Sequence, residues 1–133
     1  MLAPLETVVS VGAAASAEEW LRRARRNLRA STAMLDSGLG DMAAFHAQQT
    51  AEFALKALQV HSVGKFTRTH DLPNLAQRVG APPRIVKLCA GLTPAYVAAR
   101  YPDVQGPRIT RSRAEAYVDA GRRILRWVRR QIP

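Results

Sequence analysis

Residues 41–58 read DMAAFHAQQTAEFALKAL, and the spacing of their small side chains decides the fold. Ala44, Ala47, Ala51, Ala54, Leu55 and Leu58 follow the three-and-four rhythm of one helical face. A seam made mostly of alanine lets another helix approach closely, which suits a helix in the middle of a bundle. Asp41 is placed to cap its start.

The flanking segments supply its neighbours. Upstream, Ser16 with Glu19 three residues later forms a capping-box pattern. Trp20, Ala24, Leu28, Ser31 and Leu35 then share one face, and Ser37-Gly38 with Gly40 stops this first helix. Downstream, Asp71 and Pro73 predict a short third helix ending at Gly80. Pro82-Pro83 opens a fourth through Ile85, Val86, Leu88, Cys89 and Leu92, and Thr93-Pro94 is expected to kink or break it before Tyr96, Val97 and Arg100. Tyr101 to Pro107 is a loop. The last helix runs from about Arg111 to Gln131, with Ala114, Tyr117, Val118, Gly121, Ile124, Leu125 and Val128 inward. Gly121 inside it costs about 1 kcal/mol relative to alanine, which points to close helix contact there. No stretch predicts a strand beyond a weak alternation over Thr7 to Val11. The expected fold is all-α: an up-and-down helical bundle of four long helices plus one short helix over residues 16–133, preceded by a flexible N-terminal extension at 1–15.

Composition narrows the function classes. The 133 residues make one domain, and 47% hydrophobic against 23% charged is the balance of a globular chain. Cys89 is the single cysteine, which excludes a disulfide framework and a cysteine-based zinc finger. His46, His61 and His70 are scattered, and no phosphate-binding glycine loop or Ser/His/Asp arrangement occurs, so neither metal nor cofactor is expected. No run approaches the roughly 18 apolar residues of a membrane span. Leu2 to Ala17 lacks the basic start of a signal peptide, and a cytoplasmic protein is expected.

Charge is the strongest compositional signal. The formal net charge is +10; Lys56, Lys65 and Lys87 are the lysines, and the other 17 of the 20 basic residues are arginines. The first and last helices carry most of them with few acidic partners. Arg22, Arg26, Arg122, Arg126 and Arg129 are therefore candidate nucleic-acid-binding residues, should those helices be neighbours. A merely solvated face, or arginine use set by a GC-rich coding sequence, accounts for the same pattern.

Three short segments carry chemistry. Gln48, Glu52 and Lys56 lie four residues apart on one helical stripe. On spacing alone an ordinary Glu–Lys pair, worth a few tenths of a kcal/mol, is the simpler account. The sharper one is a polar line recessed between helices. His70-Asp71-Leu72 opens the third helix, where a histidine can hydrogen-bond structurally or titrate near neutrality. Arg100-Tyr101-Pro102-Asp103 closes the fourth helix, with Arg100 favoured by the helix dipole.

Together these segments resemble the HEPN family (higher eukaryotes and prokaryotes nucleotide-binding domain). The resemblance rests on Phe45 to Leu58, on His70-Asp71-Leu72, on Tyr96 with Arg100-Tyr101-Pro102-Asp103, and on Trp20, Leu28, Ala120, Ile124, Leu125 and Trp127-Val128; it spans about residues 17 to 130. It implies a mainly antiparallel helical bundle, often a homodimer. It also implies a protein partner, a minimal nucleotidyltransferase, with which many members form a toxin–antitoxin-like two-component system. The ligand-binding candidates are then Gln48, Glu52, Lys56 and Tyr101, which either hold a nucleotide or, at Tyr101, accept one from the partner. Other branches of the family are metal-independent ribonucleases using an arginine and a histidine four to six residues apart. That motif is absent here, since no histidine has an arginine at that distance before it. A ribonuclease would instead need His70 and Arg100 to meet in space as catalytic residues. A non-catalytic nucleic-acid-binding module is the third alternative.

Overall fold

A computed structural model describes residues 7–10, 16–100 and 109–133 of the chain; the side chains of Thr7, Val9, Ser10, Ala99 and Arg100 lie outside the description. The elements run in the order β1 (Thr7–Ser10), α1 (Ala17–Asp36), α2 (Gly40–Val63), β2 (Lys65–Arg68), α3 (Leu72–Arg78), α4 (Pro83–Arg100) and α5 (Arg111–Gln131). Four long helices and one short helix form the bundle anticipated from the sequence.

Alanine explains why α2 is central. Ala43, Ala44, Ala47, Ala51, Ala54 and Ala57 are all fully buried, and α2 touches α1, α3, α4, α5 and β2. Small side chains bring the axes close enough for backbone contact. A Cβ placed on Gly121 of α5 would lie 2.8 Å from the Ala47 carbonyl oxygen of α2, so the glycine is required by proximity. Across the other interface, the buried Ser31 hydroxyl of α1 donates to the Ala43 carbonyl at 2.7 Å. Leu55, Leu72, Leu75, Ile85, Leu92, Ile124 and Val128 fill the remaining core. Leu21 is buried as well, one position beside the seam marked by Trp20.

The termini of the elements follow local chemistry. Ser16 accepts from the Glu19 N–H at 3.2 Å, Asp71 from the Asn74 N–H at 3.2 Å, and Thr110 from the Arg113 N–H at 3.2 Å. Gly64 ends α2 in the left-handed region at φ 71°, where a Cβ would be strained.

Three local expectations are corrected. Asp41 is not the N-cap of α2; the helix begins one residue earlier, Leu39 occupies the cap position without a side-chain bond, and Asp41 sits in the first turn. Thr93-Pro94 does not break α4, which continues to Arg100. Leu92 and Ala95 on either side are fully buried, so packing outweighs the lost backbone bond. Finally, β1 and β2 form an antiparallel two-stranded ribbon, with Val8 opposite Thr67 and Val9 opposite Phe66. β2 escapes a period-two search because Phe66 and Thr67, adjacent residues, are both buried. Gln59 of α2 holds this strand: the Thr67 N–H donates to its Oε1 and its Nε2 donates to the Thr67 hydroxyl, both at 2.9 Å.

Candidate functional site

The stripe on α2 is a buried polar line. Gln48 and Glu52 are shut away from water, Glu52 with a side chain only 2% exposed, and the Lys56 side chain is 6% exposed. Lys56 Nζ donates to Glu52 Oε2 at 2.9 Å, and Gln48 Nε2 donates to Glu52 Oε1 at 3.2 Å. Gln49 Nε2 in turn donates to Gln48 Oε1 at 3.0 Å. The ammonium of Lys56 lies 5.8 Å from the ring centroids of both Trp20 and Phe66, a low-dielectric cage that strengthens its attraction to the carboxylate.

His70 completes the line. The turn between β2 and the Asp71 cap brings its Nδ1 to 2.9 Å from Glu52 Oε1, while the side chain stays 57% exposed. A carboxylate can only accept, so Nδ1 carries the proton and Nε2 of the neutral ring carries a lone pair. Tyr96 of α4 stacks on the imidazole at 5.2 Å between centroids and 30° between planes. Glu52 thus receives three donors deep in the bundle and holds one imidazole at its edge. Such a unit fixes the orientation of the ring and leaves the lone pair of Nε2 as its acceptor.

Gln48, Glu52, Lys56 and His70 are therefore brought together. Arg100 ends α4, but its side chain, like all of Tyr101, lies outside the described residues. The tyrosine that stacks on His70 is Tyr96, four residues before Arg100. Its place in the helical segment was visible in the sequence, but its contact with a histidine 26 positions earlier was not.

The arginine candidates divide between two helices that do pack together, α1 and α5. Arg22 and Arg26 are exposed on α1, Arg126 and Arg129 are exposed on α5, and Arg122 is half-buried. Arg22 lies 3.7 Å from Glu19. Arg126 joins Arg84, Arg123 and Arg130 around a hollow of about 330 Å³ between α4 and α5, floored by Ile85, Leu88 and Trp127. Arg123 is engaged by Asp119 at 2.9 Å. Cys89 is buried, and burial pushes its thiol up to about 12, which leaves it unreactive as a nucleophile. Among the described residues no group of three or more His, Cys, Asp or Glu is gathered for a metal ion, and no helix is long and apolar enough to cross a membrane.

This architecture, an alanine-cored bundle whose central helix carries a buried Gln–Glu–Lys line ending on a histidine, defines a class. The HEPN domain model matches residues 17–131, and the chain belongs to the HEPN family. It is similar to TT1696 from Thermus thermophilus, at 34% identity and a TM-score of 0.77, over 87% of this chain and 98% of that one. It is also similar to ST0689, described as an archaeal HEPN homologue, at 30% identity and a TM-score of 0.76, over 90% of this chain and 100% of the other. No protein of curated function matches the chain.

Proposed function

We propose that this HEPN protein works with a minimal nucleotidyltransferase as its protein partner, in a toxin–antitoxin-like two-component system, and that the Glu52–His70 corner is where a nucleotide or RNA phosphate is met. The supporting observation is the buried Gln48–Glu52–Lys56 line and its contact with the half-exposed His70. Replacing a buried ion pair with apolar side chains of similar size is often neutral or stabilising, so its presence in an otherwise alanine-packed helix suits a site better than a brace. Once protonated, His70 with Glu52 and Lys56 carries a net charge of +1, a match for a phosphate oxygen. Tyr101, five residues along the chain from Tyr96, is the remaining ligand candidate.

Co-expression with the product of the adjacent gene tests this reading. A stable complex is expected, with nucleotide bound or transferred in its presence and with that signal lost in His70→Ala. Intact-mass analysis separates a nucleotide held non-covalently from one joined to Tyr101, which Tyr101→Phe removes. Absence of any complex overturns the proposal.

The Glu52-oriented imidazole also supports metal-independent RNA cleavage as a second reading, with His70 as general base and Arg100 as phosphate stabiliser. Transfer RNA incubated with the wild type, His70→Ala and Arg100→Ala decides it. Cleavage lost in both variants favours the nuclease; equal cleavage by all three marks a contaminant.

A further inference from the structure

A second histidine is built into a pocket whose lining includes neither Glu52 nor His70. His46 of α2 meets Asn27 of α1, Nδ1 to Oδ1, at 2.9 Å. Asn27 is oriented unambiguously, because its Nδ2 donates to the Arg23 carbonyl at 2.9 Å and only its oxygen is left to accept. His46 Nδ1 therefore carries the proton and Nε2 the lone pair. Burial lowers the affinity of this imidazole for a second proton, which keeps it neutral. Among the described residues Trp20 Nε1 is the only side-chain polar atom both fully buried and unpartnered, so His46 Nε2 remains within reach of solvent.

The surroundings specify what such an acceptor faces. His46, Arg23, Arg26, Asn27, Ala30 and Phe53 line a hollow of about 370 Å³. Neither Arg23 nor Arg26 has an ion-pair partner among the described residues. Arg26 also borders the next hollow along α1, with Arg29 and Thr32. Arg23, Arg26 and Arg29 thus form a row of cations one helical turn apart, with an aromatic wall at Phe53 and no carboxylate in either lining. Guanidinium groups fork onto phosphate oxygens, but a neutral nitrogen lone pair repels them. The fitting ligand brings anions to the arginines and, beside them, a hydroxyl donor to His46. Ribose phosphate does both, and the 2′-hydroxyl is the group that separates RNA from DNA.

We propose that the groove between α1 and α2 binds single-stranded RNA, with Arg23, Arg26 and Arg29 along its phosphates and His46 Nε2 accepting a ribose 2′-hydroxyl. It is a binding site independent of the reading proposed for Glu52 and His70. The test uses the full chain, a fluorescently labelled oligoribonucleotide, its deoxy counterpart of the same sequence, and an Asp/Glu-rich peptide, all followed by anisotropy. The expected result is RNA held about two- to tenfold tighter than DNA, the worth of one net hydrogen bond. His46→Ala brings that ratio to about one while leaving DNA affinity in place. Arg26→Ala weakens RNA and DNA together and flattens the salt dependence, whereas Lys87→Ala on the far helix does neither. Asn27→Ala, which frees the tautomer without emptying the pocket, lowers the RNA preference even if His46→Ala fails to fold. Equal wild-type affinity for RNA and DNA, a preference that survives both His46→Ala and Asn27→Ala, or tighter binding of the peptide overturns the proposal.

Discussion

Removing the charge of Lys56 alone separates a site from a structural brace. In Lys56→Met the Glu52 carboxylate stays in the core with Gln48 and His70 as donors, having lost the ammonium 2.9 Å away. Breaking one side of a buried ion pair costs about 3–5 kcal/mol, because the remaining charge is desolvated without its counterion. Against a domain stability of about 5–15 kcal/mol, that is a large fraction. Removing the whole line in Gln48→Leu/Glu52→Leu/Lys56→Met leaves no orphaned charge, and His70, at 57% exposure, turns to water for its hydrogen bond. The triple variant is expected within about 1–2 kcal/mol of wild type, the range left by repacking of similar volumes. Urea unfolding followed by circular dichroism at neutral pH measures both. The triple variant is then expected to fold normally and to fail in the nucleotide and partner assays. A triple variant as unstable as Lys56→Met would refute the reasoning, making the line a structural device.

Gly121→Ala should destabilise the protein by roughly 1–3 kcal/mol, although alanine is the better helix former, because the new methyl meets the Ala47 carbonyl at 2.8 Å; thermal unfolding reads the sign directly. Gln59→Leu leaves the buried Thr67 N–H without an acceptor and should cost about 1–3 kcal/mol by the same measurement. His46 supplies a pH dependence. Its folded-state proton affinity is lowered by burial, so below the ordinary value of 6.5 the unfolded chain binds more protons and stability falls as pH drops through that window. Above it the group contributes nothing, and His46→Phe should remove this component of the pH–stability curve. Cys89 should resist iodoacetamide at pH 8 in the folded protein and react once urea unfolds it, since its thiol is buried and held protonated.

The bundle was legible because its signals are local. Alanine rhythm on α2, the Ser16 and Asp71 caps and the inward face of α5 each reside within one helical segment. Gly121 was legible for the same reason: a glycine inside a good helix implies a close neighbour. The depth of Gln48, Glu52 and Lys56 was not, because an exposed pair and a buried one share the same spacing. Only the covering of α2 by its neighbours distinguishes them. The Asn27–His46 bond joins residues 19 apart on different helices and leaves no periodic trace. β2 was missed because Gln59 and Trp20, remote in sequence, decide that Phe66 and Thr67 both turn inward. Pro94 shows the converse: a strong local stop signal overridden by burial on both sides.

The role given to the polar line depends on the tautomer of His70, and nitrogen-15 NMR of the imidazole, recorded above the ordinary histidine titration range, measures it. A proton on Nδ1 and a bare Nε2 are expected, with Glu52→Leu releasing the ring to the mixture found in water. A proton on Nε2 in the wild-type protein, or a tautomer indifferent to Glu52, would contradict that role.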